Sequence, residues 1–120
     1  MAYDDRTAVA AVGLLRDFRS IGIDIEPAVP LPPDILEMVV TPRELRNIAA
    51  DPLRGKLLFA AKEAVYKAAY PLDRVFLEFR DIEIDLEHRR GETRTGRLFA
   101  LRYFVSSHVV ALALPHADQA

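Results

Sequence analysis

Residues 53–70, "LRGKLLFAAKEAVYKAAY", form the longest helical pattern in the chain. The stretch is rich in Leu, Ala, Glu and Lys, which lose little side-chain freedom in a helix. Pro71 follows directly and is expected to end the helix, because proline has no backbone N–H. The apolar positions recur every three or four residues and form one broad side: Leu57, Leu58, Ala61, Ala64, Val65 and Ala68. This apolar side predicts a helix that packs against a sheet.

Strands are predicted on both sides of this helix. Residues 20–27, "SIGIDIEP", alternate isoleucine with a small or acidic residue, as expected for a strand with two different faces. Residues 7–15, "TAVAAVGLL", predict a buried strand before it. After the helix, an alternating stretch at 81–87, a turn at 91–96 and apolar strands at 97–104 and 108–115 predict an antiparallel meander. The predicted fold class is α+β, a small antiparallel sheet with one long helix packed across it.

Two shorter helices are predicted between the strand at 20–27 and the long helix. Residues 32–40, "PPDILEMVV", predict the first. Thr41, Pro42 and Glu44 have the spacing of a capping box, which predicts a second helix up to about residue 49. The chain of 120 residues shows no repeat, linker or low-complexity segment. A single domain covering residues 1–120 is therefore expected.

Composition restricts the classes of partner. Sixteen basic and 18 acidic residues give a formal net charge of −2, so no bulk charge favours nucleic acid or membrane binding, and neither partner is expected. The absence of cysteine excludes a disulfide framework, a thiol nucleophile and a zinc–thiolate site. No apolar run approaches the roughly 18 residues of a membrane span, and the start "MAYDDR" is acidic. We expect a cytoplasmic protein.

Two groups of charged residues need an explanation. Asp24 and Glu26 share one strand face with Cα atoms about 7 Å apart, and like charges at that distance repel unless a cation or a basic group lies between them. Glu63 and Lys67 are four residues apart on the long helix, and Lys62 flanks them. Each group alone has an ordinary interpretation: a solvated strand face, and a surface ion pair worth about 0.3–0.5 kcal/mol. The cation that would relieve the strand pair is the open question.

The two groups together carry a family resemblance. "IGIDIE" at 21–26 and "FAAKEAVYK" at 59–67 resemble the paired motifs G-[IV]-D-x-E and [FW]-x-x-K-E-x-x-x-K of the 4′-phosphopantetheinyl transferases. The similarity covers about residues 7–115 and is greatest to the siderophore-synthase branch. It implies transfer of phosphopantetheine from coenzyme A to a serine of an acyl or peptidyl carrier protein, with release of 3′,5′-ADP. The carrier could belong to siderophore, polyketide or fatty-acid assembly.

The resemblance also implies roles for individual residues. Mg²⁺ is expected to be held by three metal ligands, Asp24, Glu26 and Glu63, and to bridge pyrophosphate oxygens. Glu63 is expected to take the serine proton, directly or through water. Lys67 is expected to stabilise the leaving phosphate, and Lys62 to contact coenzyme A phosphates together with Lys67. Gly22 is expected to leave room for a bulky ligand.

The chain departs from the branch it most resembles. Enzymes of that branch combine two similar halves around a cleft, and this chain resembles the second half. They carry a histidine for the 3′-phosphate of coenzyme A before the first strand, where residues 3–6 here are "YDDR". The fatty-acid-synthase branch instead builds its sites between identical subunits. A homo-oligomer or pairing with a missing half is therefore expected; the alternative is a non-catalytic remnant acting as an interaction, metal-binding or nucleotide-binding module.

Other charged residues are assigned ordinary roles. The histidines at 88, 108 and 116 are isolated and have no triad or metal-ligand spacing. The acidic positions of 81–87 are expected to pair with arginines across the following hairpin. Tyr66 and Tyr70 are expected to pack. Arg43 and Arg46 are a hypothetical contact for an acidic helix of the carrier.

Overall fold

The computed structural model describes residues 2–3, 8–9, 19–48 and 51–116, the first two pairs as strand backbone only. The strands are β1 (Ala2–Tyr3), β2 (Ala8–Val9), β3 (Gly22–Pro27), β4 (Ile82–Asp85), β5 (Arg90–Thr93), β6 (Leu98–Val105) and β7 (His108–Pro115). The helices are α1 (Pro33–Val39), α2 (Pro42–Asn47) and α3 (Arg54–Asp73), and a 3₁₀ turn covers Phe79–Asp81.

One antiparallel sheet of five strands, in the order β3-β7-β6-β5-β4, forms the frame of the molecule. The long helix α3 packs across one face of this sheet, and β1 and β2 pair separately with each other. The predicted α+β class is confirmed. Of the predicted strand at 7–15, residues 8–9 form β2, and residues 7 and 10–15 lie outside the described residues.

The predicted turn at 91–96 is wrong in part. Residues 90–93 form the additional strand β5, and Gly91 pairs with Ile84 of β4. A Cβ at Gly91 would lie 3.1 Å from both Ile84 Cδ1 and Val65 Cγ2, so the strand passes close under α3 at this point. The turn itself is shorter and contains Gly96 with a φ of 89°.

Helix α3 ends three residues later than predicted. Pro71 lies in its last turn, where it removes only the N–H that would have bonded the carbonyl of Lys67. The helix runs on to Asp73, and Arg74 ends it in the left-handed conformation, with its N–H donated to the Tyr70 carbonyl at 2.8 Å. A proline is tolerated in the final turn because it removes a single backbone hydrogen bond near the end of the helix.

Small residues bring α3 close to the sheet. The helix buries a row of alanines with Val65 against β6 and β7, where the facing residues are Phe99, Leu101, Val109, Ala111 and Ala113. Gly22 of β3 lies directly beneath the helix: a Cβ there would overlap the Ala64 carbonyl oxygen and lie 2.8 Å from Ala68 N. The expectation that Gly22 makes room for a ligand is therefore wrong, because the space is taken by the helix backbone.

The capping box of α2 is confirmed. Thr41 Oγ1 accepts a hydrogen bond from Glu44 N–H at 3.2 Å, and Glu44 Oε1 accepts one from Thr41 N–H at 2.9 Å. The described part of α2 ends at Asn47, and residues 49–50, where the predicted end fell, lie outside the described residues. Within the described ranges, no helix combines the length and the apolar character that crossing a bilayer requires.

Candidate active site between β3 and α3

The acidic face of β3 is turned toward α3. Alternation along the strand puts Ile23 and Ile25 on the opposite face, where they pack with Val110 and Leu112. Asp24 is buried beneath the helix, with 6% of its surface exposed. The solvated-face interpretation of Asp24 is therefore wrong: β3 is at the edge of the sheet, but α3 covers this face.

Lys67 of α3 binds directly to β3. Its Nζ lies 3.0 Å from Asp24 Oδ1 and 3.0 Å from the carbonyl oxygen of Ile23. A lysine ammonium has three N–H donors, so two are used by these bonds, while 40% of the side chain remains exposed. The ion pair seen for Lys67 is thus with the strand, not the i,i+4 pair with Glu63 that the spacing alone suggested.

The second oxygen of Asp24 lacks a partner. Oδ2 is buried, and no hydrogen-bond donor among the described residues reaches it. Leaving a buried acceptor unsatisfied costs about 1–3 kcal/mol, and more for a charged group. Such an oxygen fits a ligand that brings positive charge.

Two acids of the site, Glu26 and Glu63, have pKa values above the ordinary carboxyl value. Burial raises the pKa of Glu26 to about 8, and repulsion from the neighbouring Asp24 carboxylate adds to the effect. Burial also raises the pKa of Glu63, and Asp24 adds to the effect while the Lys67 charge opposes it. Asp24, Glu26 and Glu63 are therefore close enough to repel one another, although they come from two elements far apart in the chain.

The donor chemistry of this group fits a hard divalent cation, because carboxylate oxygens are the ligands that Mg²⁺ prefers. In residues 19–48 and 51–116, however, no three His, Asp or Glu side chains are arranged so that they could hold one ion together. One oxygen of Asp24 is bonded to Lys67 instead. The set of metal ligands, Asp24, Glu26 and Glu63, therefore stays a prediction.

Lys62 lies on the other side of α3 and has no exposed side-chain surface (0%). Its three N–H donors have three acceptors: Glu44 Oε1 at 2.6 Å, the Val39 carbonyl at 2.6 Å and the Phe79 carbonyl at 2.9 Å. Neither a donor nor a surface is left for a phosphate. The expectation that Lys62 contacts coenzyme A is corrected on this ground.

Glu44 is the residue that sequence reasoning missed. It was assigned only to the capping box, yet it is 3% exposed and pairs with Lys62. Its Oε2 also accepts the N–H of Ile84 in β4 at 2.6 Å. Burial lowers the pKa of Lys62, and attraction to Glu44 opposes that effect. The capping spacing was the only local signal, and it carries no information about a partner 18 residues away.

An open cavity of about 780 Å³ lies next to Glu63. Aromatic and aliphatic side chains line much of it, including Met38, Tyr66 and Phe76. Tyr66 packs against Tyr70 and Phe76, with ring centroids 5.8 and 6.1 Å apart. The predicted packing role of the two tyrosines agrees with these contacts.

Several of the remaining charged positions have partners within the described residues. Asp85 lies opposite Arg90 across the hairpin, as expected, but Glu83 lies opposite Glu92 and bonds to the Thr41 hydroxyl instead. His88 Nδ1 contacts Asp85 at 2.8 Å on the surface. Arg43 and Arg46 are exposed on α2, and their proposed contact with a carrier stays a hypothesis.

Comparisons with known proteins bear on the region that contains both groups of acids. The model of the 4′-phosphopantetheinyl transferase superfamily matches residues 20–114. The 4′-phosphopantetheinyl transferase Svp of Streptomyces mobaraensis is 44% identical over 95 residues, covering 74% of this chain and 38% of Svp. Npt of Nocardia iowensis, named as the same kind of transferase, is 38% identical over 99 residues, covering 80% of this chain and 45% of Npt.

A third relative and a solved structure also resemble this chain. PptT of Mycobacterium tuberculosis, also named a 4′-phosphopantetheinyl transferase, is 40% identical over 82 residues, covering 65% of this chain and 36% of PptT. The matches thus span between 36% and 45% of these three relatives. The crystal structure of holo-[acyl-carrier-protein] synthase from Thermotoga maritima superposes with a TM-score of 0.62 at 20% identity, over 82% of this chain and 64% of that one. At that identity the superposition supports the fold alone.

Proposed function

The chain belongs to the 4′-phosphopantetheinyl transferase superfamily, and from that premise we propose that it transfers 4′-phosphopantetheine from coenzyme A to a serine of an acyl or peptidyl carrier protein. In this reaction the serine oxygen bonds to the β-phosphorus of coenzyme A. The bond from that phosphorus to the 3′,5′-ADP part breaks, and the serine proton passes to a base. The observation that carries the proposal is the cluster of Asp24, Glu26, Glu63 and Lys67 at the junction of β3 and α3.

The acids are the proposed metal ligands. When bound, Mg²⁺ would supply positive charge to the pyrophosphate oxygens. Asp24, Glu26 and Glu63 would hold it, and the partnerless Oδ2 of Asp24 supports that assignment. The raised pKa values of Glu26 and Glu63 support it too, because an excess of neighbouring carboxylates is relieved by a cation.

Glu63 is proposed as the base and Lys67 as the residue that stabilises the leaving phosphate. Glu63 is half-buried and borders the open cavity, so a serine hydroxyl can approach it from solvent. Its pKa is raised above the ordinary carboxyl value, which makes the carboxylate a stronger base. Lys67 retains exposed surface and donor capacity beyond its two bonds to β3, which suits contact with a phosphate oxygen.

A second candidate is favoured by the limited share of the relatives that the chain matches, between 36% and 45%. In that case the domain is a non-catalytic module that binds metal, nucleotide or another protein. For the catalytic proposal, the same observation favours a site completed by a second copy of the chain or by a separate half. Because coenzyme A is an intracellular metabolite, the catalytic proposal includes a cytoplasmic location.

The deciding experiment is incubation of the chain with coenzyme A, Mg²⁺ and a panel of apo carrier proteins, followed by mass spectrometry. We expect one carrier to gain the mass of one phosphopantetheine, and we expect EDTA or Asp24→Asn to prevent the gain. Asp85→Asn serves as the matched control, because Asp85 is an exposed acid on β4, at the opposite edge of the sheet from β3. A folded wild-type chain that modifies no carrier would reject the transferase and favour the module.

A further inference from the structure

We propose that the buried Lys62–Glu44 ion pair is a positioning device, which fixes α3 so that Glu63 faces Asp24, and that Lys62 binds no substrate. This inference deepens the proposed function and rests on it for its catalytic consequence. All three N–H donors of the Lys62 ammonium group are bonded within the protein. Each of its three donors goes to a different element: Glu44 on α2, Val39 at the end of α1 and Phe79 on the 3₁₀ turn.

Glu44 extends the connection to the sheet. Its Oε1 accepts both Lys62 Nζ and Thr41 N–H, and its Oε2 accepts Ile84 N–H of β4. Both oxygens are therefore satisfied within the protein, as is the ammonium group they face. The pair joins the α1–α2 segment, α3 and β4 at one buried point.

The Lys62–Glu44 pair affects the proposed reaction because Lys62 is next to Glu63 on α3. Lys62 and Glu63 are consecutive on α3, so their side chains leave the helix about 100° apart. Lys62 is held by α1, α2 and the 3₁₀ turn, whereas Glu63 interacts with Asp24 of β3. A side-chain tip about 6 Å from the helix axis moves by about 1 Å when the helix rotates by about 10°. A misplacement of about 1 Å can reduce the rate of a reaction about 100-fold.

Stability alone is a poor explanation of the pair. Replacing a buried ion pair by apolar side chains of similar volume is often neutral or stabilising. Apolar packing is not directional, so it does not fix one rotation of the helix about its axis. Three directed N–H bonds do fix that rotation. The ion pair also explains why the ammonium group of a lysine adjacent to the proposed base is bonded entirely within the protein.

The test separates positioning from ligand binding by comparing Lys62→Met, Glu44→Gln and the double variant. We expect each single change to lower kcat by about 10- to 100-fold, with KM for coenzyme A within about twofold of wild type. The double variant should be no slower than the slower single variant, because both changes break one device. A Lys62→Met variant with KM raised more than about tenfold, beside a Glu44→Gln variant that behaves like wild type, would overturn the proposal.

Controls distinguish loss of position from loss of folding. All rates are taken well below the Tm of each variant, where circular dichroism shows a complete helix signal, so a lower Tm does not change kcat. Arg102→Met removes an exposed positive charge from the sheet face opposite α3 and should leave kcat unchanged. We expect Lys62→Met to lower Tm by more than about 10 °C, because it leaves Glu44 buried without its partner; if it does not fold, Glu44→Gln decides.

A measurement independent of turnover keeps this inference apart from the proposed function. Amide hydrogen exchange over residues 57–67 and 33–47 should be faster in Glu44→Gln than in wild type, whether or not the chain transfers phosphopantetheine. An inactive wild type rejects the proposed function only. Exchange unchanged over both segments would overturn the positioning role.

Discussion

Two lysines in one motif have opposite environments. Lys62 is fully enclosed and has all three donors bonded, whereas Lys67 keeps 40% of its side chain exposed beside the acids. Both positions match the family motif, and both carry the same charge. Their difference favours Lys67 for the proposed contact with substrate and Lys62 for the proposed positioning role.

The acid cluster implies a conflict between function and stability at Glu63. Its folded-state pKa is raised, so the ionised form is penalised in the folded protein. Glu63→Gln should therefore increase stability by up to about 1 kcal/mol near pH 7 in metal-free buffer, while phosphopantetheine transfer falls by at least about 100-fold. Urea unfolding and a carrier-loading assay on the same preparation test both effects. Loss of stability together with loss of transfer would show that Glu63 serves the fold.

Gly22 is expected to be intolerant of any side chain. In Gly22→Ala, the new methyl group overlaps backbone atoms of α3, which cannot move independently as a flexible side chain can. We expect a loss of more than about 3 kcal/mol in the free energy of unfolding, above the usual range for overpacking. Gly91→Ala is the matched control, since its Cβ meets the ends of the Ile84 and Val65 side chains at 3.1 Å and a backbone atom only at 4.0 Å. A loss of about 1 kcal/mol is expected there, and equal losses in the two variants would contradict the close helix approach.

At the scale of elements, directed bonds at several places, among them one from Ser20 Oγ to the Ala68 carbonyl, hold α3 to the rest of the described structure. Lys62 binds α1, α2 and the 3₁₀ turn, and Lys67 binds β3. At the end of the helix, Asp73 forms a bidentate ion pair with Arg97, with Nε–Oδ2 at 2.7 Å and Nη2–Oδ1 at 2.6 Å. The site between β3 and α3 therefore belongs to a helix with little freedom to slide or rotate.

The Asp73–Arg97 pair predicts a specific dependence of stability on pH. Its hydrogen bonds with Arg97 lower the pKa of Asp73 in the folded state. A lowered folded-state pKa adds stability above the unfolded value of about 4, and this contribution is lost as the pH falls through the folded pKa. Asp73→Asn should lower the free energy of unfolding by about 1–3 kcal/mol at pH 7.

The comparison at two pH values tests this assignment. The difference between wild type and Asp73→Asn should shrink as the pH falls below about 4, because the wild-type carboxylate becomes protonated. Urea unfolding at each pH gives the two free energies. Glu87→Gln, an exposed acid of the β4–β5 turn, should change stability by less than about 0.5 kcal/mol at either pH. A difference that persists undiminished in acid would assign the effect to packing.

At the scale of the whole molecule, one main core joins the α1–α2 segment, α3 and the sheet. The three acids Asp24, Glu26 and Glu63 lie at the edge of this core, where α3 covers the edge strand β3. The prediction of a single domain for residues 1–120 remains a prediction. The chain nonetheless matches less than half of each of the three relatives. Whether the proposed site is completed by another chain is therefore a question about the oligomeric state of the molecule.

Self-association is one of the two proposed ways to complete the site, and pairing with a separate half is the other. If two or more copies share one site, the specific transfer activity should rise with protein concentration and reach a plateau, because the active species is the assembly. Light scattering over the same concentrations should show the mass rising in parallel. Full specific activity from a species with the mass of one chain, 13.5 kDa, would exclude a site shared between copies.

Local patterns were sufficient for the order of the main elements and for the alternation on β3. Periods of two and of three to four follow from backbone geometry, so Asp24 and Glu26 could be placed opposite Ile23 and Ile25 before any partner was known. The strand β5 was missed, because four residues around Gly91 carry too little alternation to be distinguished from a turn.

The sequence by itself determined the fold class, the capping box and the set of acids and lysines that carry the family resemblance. Only the tertiary structure decided that Gly22 serves helix packing, that Lys67 bonds to Asp24 and that Lys62 is enclosed with Glu44. The physical reason is that periodicity depends on neighbours a few residues away, whereas the partner of a charged side chain depends on which distant element packs against it.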